Sequence, residues 1–110
     1  MTVKELQQQL DLEILAAEKE IEATVINDVY IGDMLSWVIG NAEAESVWIT
    51  IQTNVNVVAV AVMVGINCII IAENAHVDPD TLLKAEEEKI PVLRSELTAY
   101  QIAKRIDLGN

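Results

Sequence analysis

The residues best able to do chemistry sit in short polar islands within an apolar chain. The first island is "QTNVN" (52–56). Thr53 and Asn54 stand where a helix would begin, and such a start offers free N–H groups and a field that favours an anion. Gln52, Thr53 and Asn54 could hold a nucleotide or another small anion there. The plainer alternative is that Thr53 and Asn54 only cap the helix. The second island is "GDMLS" (32–36), where Asp33 and Ser36 are three apart and share a helix face. Asp33 acting as a cap explains it equally. Glu73 with Asn74 follows an apolar run, and Arg94 with Ser95 follows another. His76, the single histidine, lies in "ENAHVDP" (73–79), and Glu73 and Asp78 nearby are too few donors for a metal site. The lone Cys68, inside "INCIII", permits neither an intrachain disulfide nor a cysteine metal site, and reads as a buried thiol. No nucleophile–base order, phosphate-cradling glycine loop or zinc spacing appears. The expectation is no catalytic residue, no metal and no cofactor.

These residues need elements to position them, and the decisive stretch is 46–72, "SVWITIQTNVNVVAVAVMVGINCIIIA". It carries no charge. A membrane helix needs about 20 mostly apolar residues. Gln52, Thr53, Asn54, Asn56 and Asn67 interrupt this run, and no Lys or Arg cluster flanks it. The spacing instead predicts strand, helix, strand. In 46–52, Val47, Ile49 and Ile51 alternate with Trp48 and Thr50. From Val55, the positions Val55, Val58, Ala59, Val62 and Met63 fit one helix face, and Gly65 supplies the stop. "INCIIIA" (66–72) is the second strand. Val57, Val60, Ala61 and Val64 then need cover from a second layer or a second subunit.

The remaining elements are short. Thr2 and Glu5 form a capping box for an opening helix whose inner face is Val3, Leu6 and Leu10. "LEIL" (12–15) is a strand candidate. Residues 21–32 hold another, centred on Val25, Ile26, Val29 and Tyr30, with a bend at Asp28. Residues 32–40 read as a helix capped by Asp33. Asp78 with Pro79 starts a helix over 79–89. "IPVLRS" (90–95) contains a strand whose leading proline suits an edge. Ser95 caps a last helix with Ala99, Ile102, Ala103 and Ile106 inside. Alternating strands and helices predict an α/β fold, a three-layer α/β/α sandwich on a mostly parallel sheet of about 4–6 strands. In such a sheet, ligands sit beyond the carboxyl ends of the strands, which gathers Asp33, Gln52, Thr53, Asn54, Glu73 and Arg94 on one edge.

Composition narrows the partners. The 110 residues form one domain, 1–110, with 18 acidic against 7 basic residues and a net charge of −11. That balance opposes nucleic acid and anionic membrane surfaces. The N-terminus lacks an apolar signal core, so a cytoplasmic location is expected. Trp37 and Trp48 could each be core or, if exposed, anchor an interface. With an α-helix apolar on nearly all sides, they predict a homodimer through Trp37, Asn56, Val57, Val60 and Val64.

Three stretches, 1–15, 29–71 and 78–106, resemble the DRTGG domain family. The most specific parts are "GDMLS" (32–36), "WITIQTNVN" (48–56) and "KAEEEKIPVL" (84–93). The resemblance implies a fold similar to the N-terminal domain of HPr kinase. It also implies a regulatory or assembly module, of the kind found beside phosphotransacetylase regions, CBS pairs or iron hydrogenase components. "QTNVN" stands where related members carry an Asp-Arg motif, and Asn54 where stand-alone members often carry histidine. The expectation is a non-catalytic homodimeric module with a small anionic or nucleotide ligand, associated with a larger enzyme complex. The alternative is a small enzyme acting on a phosphorylated metabolite.

Overall fold

The computed structural model describes residues 1–109. Helix α1 (Val3–Leu10) is followed by strand β1 (Glu13–Ala16) and a short 3₁₀ turn, Glu18–Glu20. Then come β2 (Asp28–Ile31), α2 (Leu35–Asn41), β3 (Ser46–Thr50), α3 (Asn56–Val64), β4 (Cys68–Ile71), α4 (Pro79–Glu88), β5 (Val92–Arg94) and α5 (Ala99–Arg105). The strands form one five-stranded sheet in the order β1-β5-β4-β3-β2. Strands β2 to β5 run parallel, and β1 is antiparallel on the edge beside β5.

Alternation of side chains along the strands feeds two cores. Trp48, Ile69, Ile71 and Val92 pack with Val38 of α2, the inner side of α3 and Ala85 of α4. Val47, Ile49, Ile70 and Leu93 pack on the other face with Val3 and Leu6 of α1 and Ile102 of α5. β3 and β4 are buried at every position, so neither strand has room for charge. Cys68 is buried in the second core, and burial pushes its thiol pKa up. Trp48 is wholly buried, and its indole N–H donates to the Gly32 carbonyl at 2.8 Å. Among the described residues, no helix is long and apolar enough to cross a membrane.

Local chemistry explains most boundaries. Thr2 and Glu5 close their capping box, and Gly65 ends α3 at φ 86°. Pro79 occupies the first turn of α4. Several expectations need correction. Asp33 does not cap α2, because its carboxylate turns to β3. Ser95 does not cap α5; Thr98 does, in a second capping box with Gln101. Pro91 does not mark an edge. It stands one residue before β5, where its carbonyl accepts the Ile69 N–H of β4 at 2.9 Å and its missing N–H costs no bond within the strand, and β5 lies between β1 and β4. Val25 lies outside β2 in an isolated bridge to Thr2, and the strand proper starts at Asp28.

The orientation of α3 also differs. Val57, Val58, Val60 and Ala61 are buried, while Val55, Ala59, Val62 and Met63 face outward. Val57 and Val60 are therefore core residues of this chain and not interface residues, and Val64 is half-buried. A helix apolar all round has no face that its own sequence can select. Packing between α2 on one side and α4 on the other makes the choice. Asn56, the first residue of α3, is exposed and needs no buried partner.

Candidate functional site

The carboxyl ends of β2 to β5 bring the expected residues to one edge, where they form two separate hydrogen-bond networks. The first lies beyond β2 and β3. One carboxylate oxygen of Asp33 accepts the Thr50 hydroxyl at 2.8 Å and the Ile51 N–H at 3.0 Å. The Gln52 side-chain amide donates to the Asp33 carbonyl at 2.9 Å, and its backbone N–H donates to the Thr50 hydroxyl oxygen at 3.1 Å. Asn54 donates to the Gln52 side-chain oxygen at 3.3 Å and accepts the Asn56 N–H at 2.9 Å. Asn54 thus shapes the turn just before α3, whose N-cap is Val55 and has no side-chain cap bond, so neither Thr53 nor Asn54 is the cap itself. Thr53 contributes its carbonyl, which accepts the Thr81 hydroxyl at 2.7 Å and ties α4 to this loop. These polar groups are already engaged with one another, so this end is a lock between β2, β3 and the flanking helices.

The second network lies beyond β4, β5 and the start of β1. Arg94 is 21% exposed and donates through Nε and Nη2 to one Glu13 oxygen, at 3.0 and 2.9 Å. Its Nη1 reaches the Ala75 carbonyl at 3.3 Å. The pair exists because β1 runs antiparallel, which brings its first residue to the carboxyl edge opposite Arg94. Glu73 and Asn74 both adopt left-handed conformations, at φ 58° and 54°. Such non-glycine residues cost about 1–3 kcal/mol each unless their surroundings hold them. Here their N–H groups donate to the Leu97 and Ser95 carbonyls at 2.9 and 2.8 Å.

An open cleft of ≈ 350 Å³ occupies this end, lined by Asp11, Glu13, Asn74, Arg94, Ser95 and Arg105 among others. Its place follows from the topology. The chain leaves β2, β3 and β4 toward the face that holds α2, α3 and α4. After β5 it leaves toward the opposite face, into α5. The connections after β4 and β5 therefore diverge, and that divergence is where an open α/β sheet leaves a crevice. Glu73 borders this end through its backbone, while Asp33, Gln52, Thr53 and Asn54 belong to the other network. Glu13, Asp11 and Arg105 were not foreseen. Glu13 and Arg94 are 81 positions apart, and no local spacing signals their meeting. Among the described residues, no three His, Cys, Asp or Glu side chains gather as a metal site would require.

A model of the DRTGG domain matches residues 5–108. The chain belongs to the DRTGG domain family. This DRTGG domain is also similar to a solved structure at a TM-score of 0.76 and 10% identity, over 97% of this chain. That structure contains the CBS and DRTGG domains of the regulatory region of Clostridium perfringens pyrophosphatase, in complex with its activator, diadenosine tetraphosphate. At this identity the likeness shows the fold. The chain spans 48% of that chain. No curated protein matches the sequence. The DRTGG fold here carries arginine not in the 52–56 loop but at the far end of the same edge, at Arg94 and Arg105.

Proposed function

We propose that this DRTGG domain is a non-catalytic regulatory or assembly module that works as a homodimer. It responds to a nucleotide or another small anion-bearing ligand at the carboxyl edge of its sheet. The observation that carries this reading is the cleft where the connections after β4 and β5 diverge, with Arg94 in its wall. The activator named for the pyrophosphatase regulatory region supports a ligand of nucleotide type. The engagement of Asp33 by Thr50 and Ile51, and of Arg94 by Glu13, weighs against either group serving as a free catalytic acid, base or cation. Association with a larger enzyme complex in the cytoplasm is what the family resemblance adds.

The dimer would use the outer surface of α2 and α3. Trp37 is 63% exposed, Met63 67% and Val62 49%, with Asn56 beside them on the outside of α3. Neither helix contains a charge. In a chain of net charge −11, this is where a second copy can approach without like-charge repulsion. Two measurements test the proposal. Light scattering should give twice the 12.1 kDa chain mass, and Met63→Glu should return the single-chain mass. Thermal shift with adenine nucleotides, including diadenosine tetraphosphate, and with simple phosphates and carboxylates should find a stabilising ligand. A monomer that no anion-bearing compound stabilises would sink it.

A further inference from the structure

We infer that the cleft between β5, β1 and α5 is an amino-acid site, taking a small zwitterion whose carboxylate meets Arg105 and whose ammonium meets the carboxylates of Asp11 and Glu96. The inference rests on the sensing role proposed for this edge and narrows its ligand. The charges in the wall decide the class. Arg94 is matched by Glu13 at 2.9 Å, so it adds little net field. What remains among the charged residues of the lining is one guanidinium, Arg105, and two carboxylates, Asp11 and Glu96. A polyphosphate would bring several negative charges against those carboxylates, within a chain already at −11. A simple amine would meet the carboxylates but make no use of the Arg105 guanidinium. A molecule carrying one charge of each sign satisfies both sides, and the guanidinium fork suits a carboxylate.

The remaining walls fit the same class. Leu10 and Leu97 offer apolar surface for a side chain. Ser95 accepts the Leu97 N–H through its hydroxyl oxygen, which leaves its own proton to donate. The exposed carboxamide of Asn74 can donate and accept. At ≈ 350 Å³ the cleft lies at the small end of the roughly 300–1,000 Å³ range of ligand sites, which suits an amino acid better than a dinucleotide.

Thermal shift on the whole chain with the standard L-amino acids tests this. Acetate and ethylamine serve as single-charge controls, and adenosine monophosphate as the nucleotide control. At least one amino acid should raise Tm by about 5–10 °C when present at about ten times its Kd. Neither single-charge control should match it. Arg105→Gln and Asp11→Asn should each weaken binding by about tenfold or more. Both positions are exposed, and asparagine tolerates the left-handed backbone at Asp11, so circular dichroism should show unchanged folding. The inference falls if no amino acid stabilises the protein, if acetate binds equally well, or if Arg105→Gln leaves amino-acid binding intact. A nucleotide bound in place of amino acids also overturns it, while leaving the regulatory reading standing.

Discussion

Asp33 uses one carboxylate oxygen to hold two donors at the end of β3, the Thr50 hydroxyl and the Ile51 N–H just past the strand, and the hydroxyl is buried. Removing the acceptor would leave that hydroxyl without its partner. Asp33→Ala should cost about 1–2 kcal/mol in urea denaturation, because a buried donor loses its bond. Asp33→Asn keeps an acceptor oxygen and should recover most of the loss. Equal stability of the alanine variant and the parent would remove Asp33 from its structural role and return it to the ligand candidates. Asp33 was legible as a functional-looking residue, because an acid beside a glycine before a helix suggests a cap or a site. Its real partners come from a neighbouring strand. Arg94 repeats the lesson: its place on the edge was readable, but its pairing with Glu13 depends on β1 running antiparallel.

At the scale of elements, end signals govern. Gly65 closes α3 at φ 86°, and a Cβ there would approach the Ala44 Cβ to 3.3 Å. Gly65→Ala should destabilise by about 1–2 kcal/mol, mainly from the left-handed backbone. A thermal melt that does not move would mean the helix end relaxes freely. The capping box of α1 supplies a pH dependence. The Thr2 backbone N–H, and after it the Thr2 hydroxyl, hold the Glu5 carboxyl below its ordinary value. A carboxyl depressed in the folded state adds stability above its unfolded pKa, near 4.5, and that contribution is lost as pH falls through the folded value. The Tm gap between the parent and Glu5→Ala should therefore be widest at neutral pH and narrow in acid. A gap that stays constant from neutral to acid would show that the carboxylate is not the capping species.

For the whole molecule, charge and topology act together. At −11, self-repulsion opposes both compaction and association. Raising NaCl to about 0.5 M shortens the Debye length to well under 10 Å. The chain should then melt at a higher temperature, and the proposed homodimer should tighten, since its interface on α2 and α3 would carry no ion pairs to screen. Dimer dissociation on adding salt, followed by sedimentation equilibrium, would instead indicate an interface held by charge.

The sequence by itself determined the order of the main helices and strands, the α/β class and the two buried central strands. Caps, glycine stops, proline starts and the period of apolar residues are local signals, read within a few positions. It also placed the candidate ligand residues on one edge, because in a parallel sheet every strand ends on the same side. Tertiary structure decided which pair of strand ends opens. The connections after β4 and β5 depart to opposite faces, and only the packing of α4 and α5 sets that. It also decided which side of α3 faces out, since a helix apolar all round carries no local instruction. Within 46–72, burial on two faces explains the missing charge of the two strands, while the helix is covered on one side only and its outer side is uncharged though exposed.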